Sequence, residues 1–245
     1  MTWKARIPRI VKHPTVRKAE FLAAARALFF ERGYDRTSID DVIGRACVSK
    51  GAFYHHFASK EELLGALAAD IARETVEQLG DILEDPTLNA FERLNGFLAR
   101  GRQLKVAAAP QLLHLFDAIF RAENVMLYHR THLAVNAVMT PVLARIIEQG
   151  IGEGTFRATD AEITAELLLQ ISAASPEVIA RLISASTPAQ LEVAATALER
   201  RAIEQGIAVD RLLGLPDGSI EFIEPGFVKA LIAARCKPQL VAPRG

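Results

Sequence analysis

A chain of 245 residues, half apolar and 24% charged, has room for a small domain plus a larger one and is too hydrophobic to be disordered. No apolar run reaches the roughly 18 residues of a membrane span, the N-terminus lacks the apolar core of a signal peptide, and the distant Cys47 and Cys236 suggest no disulfide framework, so a reducing cytoplasm is expected. The zero net charge hides an asymmetry: residues 1–60 hold 12 Lys/Arg against 5 Asp/Glu (+7) and the rest 17 against 24 (−7), which suggests a nucleic-acid-binding end on a mildly acidic body.

Residues 1–16 read as a basic arm. Lys4, Arg6, Arg9 and Lys12, followed by Arg17 and Lys18, come without an acid, and Pro8 and Pro14 oppose a continuous helix. Such an arm lies on phosphates or in a minor groove, or is a solvated leader. A helix is predicted from Arg17 to Arg32, where Phe21, Leu22, Ala25, Leu28 and Phe29 recur at helical spacing and Gly33 ends it. Thr37 and Ser38 offer N-caps to the next helix, with Asp40 and Asp41 three residues on in a capping-box pattern. Ile39, Val42, Ile43 and Ala46 set its buried face. Ala46, Cys47 and Val48 make a turn, Ser49 caps a second short helix, and that helix opens with Lys50, Gly51 and Ala52. Two short helices about a tight turn are the layout of a helix-turn-helix. Small residues let the backbone approach base edges, and Lys50 can donate to guanine O6 or N7. Phe53 and Phe57 are expected inside, and Tyr54 and His55 outside, where they can bond phosphates.

The run GYDRTSIDDVIGRACVSKGAFYHHFASKEELL resembles the DNA-binding signature of the TetR family of bacterial transcription regulators, over about Ala19 to Leu67. The resemblance implies that Lys50, Gly51 and Ala52 approach bases, and that Thr37, Tyr54, His55 and Lys60 touch phosphates. Ser38 and Ser49, which cap the two helices, complete the expected DNA-binding set. Cys47 departs from the family, which often has glycine there; a residue of another type in that turn adopts positive φ at some cost.

Ser59 caps a long helix expected from Lys60 to about Asp85-Pro86, with its apolar side built from Leu63, Leu64, Leu67, Ile71, Val76, Leu79 and Leu83. Further helices are predicted at about 89–105, at 110–122 opened by Pro110, at 126–150, at 160–185 and 188–213, with a short one near 225–235. Thr159 with Glu162 reads as a capping box, and Pro176 as a kink. Strand signals are nearly absent. The expected fold is all-α: a three-helix DNA-binding domain over 17–60 and a larger helical effector-binding and dimerisation domain over 61–245.

In the family the helices corresponding to 160–185 and 188–213 pair with their copies, and a twofold dimer reads two half-sites about one DNA turn apart. The middle helices, 89–150, carry Phe97, His114, Phe116, Phe120, Met126, Tyr128, His129, His132, Asn136 and Met139. Either these are ordinary core, or Phe97, His114, Phe116, Phe120, Tyr128, His132, Asn136 and Met139 line a pocket for a small lipophilic molecule, where family members usually place one. His129 and His132, with His114 and Glu123 nearby in sequence, could form a metal site, but solvated or core histidines are the plainer reading and no metal is assigned. No cofactor is called for. There is no nucleophile elbow, Gly-rich phosphate loop or metalloprotease helix, so no catalytic residue is assigned and no enzyme expected. The reading that results is a homodimeric repressor of a pseudo-palindromic operator, modulated by a small effector. The alternatives are an activator of the same fold, or a helical carrier or enzyme with a vestigial DNA head.

Overall fold

The computed structural model describes residues 14–173 and 176–224. The first 13 residues of the basic arm and the short helix expected near 225–235 lie outside them. Among the described residues there is no strand. The helices are α1 (Pro14–Arg32), α2 (Ile39–Ala46), α3 (Lys50–His56), α4 (Lys60–Glu77), α5 (Gly80–Leu83), α6 (Ala90–Ile119), α7 (Val125–Gly152), α8 (Ala161–Ser172), α9 (Pro176–Ser184) and α10 (Pro188–Leu213). None of them is long and apolar enough to cross a membrane.

Four local expectations are corrected. The helix after Ser59 stops at Glu77, and α5 follows as a separate turn starting at Gly80, a weak helix former. The carbonyls of Ile82, Leu83, Asp85 and Leu88 are then taken by the buried Arg93 guanidinium, which ends the helical run there. Pro110 opens nothing: α6 runs through it. One end of α6 is held in a core by Leu94 and Phe97, the other by Leu115 and Ala118, and this packing outweighs the lost backbone bond. The span 160–185 is two helices, because Pro176 begins α9 instead of kinking a longer one. Finally, Asp160, not Thr159, caps α8, its Oδ1 accepting from the Ile163 N–H at 2.9 Å.

The apolar residues gather in two clusters. The first fills the space among α1, α2 and α3. Phe21, Phe29 and Phe53 are 0% exposed and Phe57 2%, and Phe21 meets Phe53 and Phe57 edge-on at centroid distances of 5.5 and 6.1 Å. Such pairs contribute about 0.5–1.5 kcal/mol each beyond area burial. The cluster continues into Leu63, Leu64 and Leu67 of α4, Leu115 and Ala118 of α6 and Leu127 of α7. The second cluster joins Leu79, Leu94, Phe97, Leu143, Ile146, Ile147, Phe156, Leu168, Val209 and Leu213. Here α7 requires a glycine, since a Cβ at Gly150 would stand 2.1 Å from Phe156 Cδ2. Asp210 is fully buried and accepts from the N–H groups of Gly218, Ser219 and Ile220 at 2.6, 3.1 and 2.9 Å, which folds the chain after α10 back onto this core. Between the clusters packing is sparse. Residues 132–142 of α7 include no buried side chain, and residues 98–108 of α6 bury only Arg102.

Candidate nucleic-acid interface

Three capped helix starts and one strained turn build the head. Ser38 Oγ accepts from the Asp41 N–H at 3.1 Å while Asp41 Oδ2 accepts from the Ser38 N–H at 2.8 Å, a complete capping box. These bonds, together with Arg32 at 2.8 Å, hold the Asp41 carboxyl down to about 2. Cys47 ends α2 with φ 53°, in the left-handed region. Ser49 Oγ then accepts from the Ala52 N–H at 3.3 Å and starts α3. Ser59 caps α4, where Glu61 and Glu62 sit favourably in the first turn.

This scaffold turns one face of α3 outward. Phe53 and Phe57 anchor it in the core, and Tyr54 is 50% exposed. Lys50, Gly51 and His55 are exposed beside it, with Ala52 half-buried. Lys50 Nζ rests 3.2 Å from Asp40 Oδ1, a pair between solvent-exposed side chains that a stronger anion can displace. No heavy atom outside the local helix lies within 4 Å of where a Gly51 Cβ would stand. Interior packing therefore gives no reason for glycine at this position of a helix.

Other expected contacts are placed differently. Thr37 is 1% exposed and its hydroxyl donates inward to the Gly33 carbonyl at 2.9 Å, so it braces the α1–α2 loop and offers no hydroxyl to a phosphate. Lys60 Nζ donates to the carbonyls of Tyr34 and Thr37, each at 3.1 Å, and lies 4.0 Å from the Tyr34 ring centroid, so it fastens the same loop. The hydroxyls of Ser38 and Ser49 are engaged as caps. Sequence reasoning left His56 unassigned. Its imidazole is held below the ordinary histidine value by burial and by the nearby charges of His55, Lys18 and Arg17. These four residues lie together where α1 begins and α3 ends, with Arg17 paired to Glu20 at 2.9 Å, and the adjacent histidines after a basic segment were the sequence signal.

The chain's relatives agree with this geometry. Residues 21–67 match the model of the bacterial regulatory proteins of the tetR family. The HTH-type transcriptional repressor KstR2 of Mycobacterium tuberculosis is 31% identical over 150 residues, covering 61% of this chain and 74% of that protein. The chain belongs to the TetR family. It is thus a DNA-binding transcriptional regulator. Among solved structures, a TetR-family regulator from Pectobacterium atrosepticum is 25% identical with a TM-score of 0.54 over 85% of this chain and all of that one. RolR without ligand shares the fold at 19% identity, TM-score 0.56, over 87% of this chain and 96% of its own; a RolR complex with resorcinol is also solved.

In this TetR-family chain the aromatic residues of the middle helices divide into two groups. Phe116, Phe120, Tyr128, His132 and Asn136 form one ladder. Their rings follow at 5.7, 5.5 and 5.6 Å, and the last pair is stacked. His132 Nε2 is 3.2 Å from Asn136 Nδ2, and burial together with His129 holds the His132 imidazole below its usual value. Phe97 is buried in the second core and Met139 packs against that core, so neither joins the ladder. The His114 side chain lies outside the described residues. Among the described residues no three metal-ligating side chains converge. Asn136 also lines an open groove of about 1040 Å³ between α7 and α8, with Leu133, Thr140 and Pro141 on one wall and Glu162, Glu166 and Gln170 on the other. At the head end of the ladder, Arg121 pairs with Asp35 of the α1–α2 loop at 2.7 Å. Tyr34 in that loop is buried and its hydroxyl is 3.4 Å from Glu61, which together raise its pKa.

Proposed function

We propose that this chain is a repressor that binds a pseudo-palindromic operator as a homodimer and releases it when a small lipophilic effector enters the body between α6 and α7. The functional division would be a basic arm over 1–16, a reading head over 17–60 and an effector and dimerisation body over 61–245. Gly51 carries the reading. It lies on an exposed helix face, costs up to about 1 kcal/mol of helix propensity against alanine, and no neighbour occupies the space of its absent side chain. A base edge or phosphate pressed against the backbone accounts for it. Lys50, Ala52, Tyr54 and His55 surround that point, and the Arg17, Lys18 and His56 cluster adds phosphate contacts.

Dimerisation is supported by what α8 and α10 leave open. Ile163 and Leu167 of α8 are 56% and 41% exposed, and Val193 and Ile203 of α10 are 72% and 53% exposed. Val193, Thr196, Arg200 and Ile203 follow at spacings of three and four, an uncovered stripe suited to a second copy. The effector reading is supported by the sparse packing between the two cores and by the aromatic ladder that leads from it to Arg121 and the α1–α2 loop. A coupling of about 1–3 kcal/mol is enough to switch occupancy.

Gel shifts on the DNA upstream of its own gene, at two salt concentrations, test the head. Wild-type binding should be specific and fall steeply with salt. Lys50→Ala should cost about 1–3 kcal/mol of operator affinity. Gly51→Ala should bind at least tenfold more weakly while unfolding no earlier than wild type, because the interior has room for the methyl group. Undiminished operator binding by Gly51→Ala would overturn the assignment of this face.

A further inference from the structure

Arg36 lies in the loop between α1 and α2, two residues before the Ser38 cap, and is exposed. Among the described residues it has no ion pair and no hydrogen bond, although three aspartates stand within five residues of it in the chain. Each of those is taken by another cation: Asp35 by Arg121 at 2.7 Å, Asp40 by Lys50 at 3.2 Å and Asp41 by Arg32 at 2.8 Å. The other lysines and arginines of the described head are engaged as well. Arg17, Arg26 and Arg45 pair with Glu20, Glu74 and Glu31, Lys18 lies over the Phe57 ring, and Lys60 holds two carbonyls.

What distinguishes Arg36 from a freely solvated surface arginine is the fixed backbone under it. Tyr34 is 6% exposed, its carbonyl accepts from the Thr37 N–H at 3.1 Å, and Lys60 ties that carbonyl to the one of Thr37. Asp35 is held from the body by Arg121, and the Thr37 hydroxyl is bonded inward to Gly33. With the residues on both sides immobilised, ordering Arg36 on a ligand costs only side-chain entropy. The loop is also well placed. The Asp40–Lys50 pair sets the first turn of α2 beside the first residue of α3, so the chain entering α2 borders the reading face. In a helix-turn-helix the second helix lies in the major groove and the first crosses the backbone. We infer that Arg36 grips an operator phosphate beside the groove in which α3 reads. A guanidinium suits that anion, since it bonds two phosphate oxygens at once. The inference rests on the reading of α3 as the helix in the groove and adds a backbone contact outside that helix.

Gel shifts with the full-length protein, on the fragment upstream of its own gene and on an unrelated duplex of equal length, test this. Arg36→Ala should bind both about five- to tenfold more weakly, with a salt slope about one unit shallower. It should unfold at the wild-type temperature, because it removes no bond within the protein, and Arg36→Lys should keep the slope while losing part of the affinity. Neutral methylphosphonates in place of single phosphates locate the contact: at one position wild type should lose severalfold in affinity and Arg36→Ala nothing. Unchanged affinity and slope in Arg36→Ala, while Lys50→Ala loses binding, overturns the inference and leaves the reading of α3 standing. A loss confined to the operator fragment assigns Arg36 to a base edge and overturns the phosphate contact. Undiminished binding by both variants overturns the inference and the reading of α3 together.

Discussion

The head and the middle of the body are built from the same kinds of residue and packed to opposite standards. In the head, Phe21, Phe29, Phe53 and Phe57 are all but inaccessible to solvent, and the helix ends are closed by complete caps. In the middle of the body, residues 98–108 of α6 and 132–142 of α7 bury no apolar side chain fully, and Leu98, Leu104, Met139 and Val142 are only partly buried against the second core. A DNA reader must present a few atoms in fixed positions, and dense cores with fixed rotamers provide that. A sensor needs space for a ligand and two arrangements of similar free energy, and a stretch of half-buried side chains between two cores suits that.

Substitutions can break this comparison. Phe53→Ala should destabilise the protein by about 3–5 kcal/mol, read by denaturant unfolding, because it opens a cavity against rings that cannot collapse into it. Met139→Ala removes a similar kind of side chain from a half-buried site and should cost about 1 kcal/mol. Comparable losses for the two would show that the middle is packed as tightly as the head. Arg121→Ala should cost less than about 1 kcal/mol of stability, since both partners of the Arg121–Asp35 pair are about half exposed. Its larger effect should be on coupling: operator affinity without effector stays within a few-fold, while the release caused by an effector weakens. Undiminished release would remove this pair from the path between ladder and head. The smallest effect has the opposite sign. Cys47→Gly should stabilise the head by about 0.5 kcal/mol, as relief of a left-handed conformation outweighs the added freedom of the unfolded chain. A fall in thermal midpoint would show that the Cys47 side chain contributes more than its strain costs.

The reading head was legible in the sequence because its signals are local. A capping serine, its acid three residues on, an apolar repeat and a turn residue each act within one helical turn, so Ser38, Asp41, Val42, Cys47 and Phe53 could be placed without knowing what lay opposite. Local signals failed where tertiary packing outweighed them. Pro110 reads as a helix start but sits inside α6, because distant cores grip both ends of that helix. Thr37 and Lys60 read as phosphate ligands, yet Thr37 turns its hydroxyl back to the Gly33 carbonyl four residues before it, and Lys60 holds the loop carbonyls of Tyr34 and Thr37, 26 and 23 residues away; both bonds depend on the path of an irregular loop, which carries no periodic mark.

By itself, then, the sequence determined the all-α class, the helix-turn-helix and the family, all of which depend on spacings of three or four residues. Only the tertiary structure decided which polar side chains face out and which close the interior. It alone joined Phe116 to Asn136 into one ladder and tied Arg121 to Asp35 across 86 residues. Burial and pairing belong to elements brought together from separate parts of the chain, and the energies that set them arise only when those elements meet.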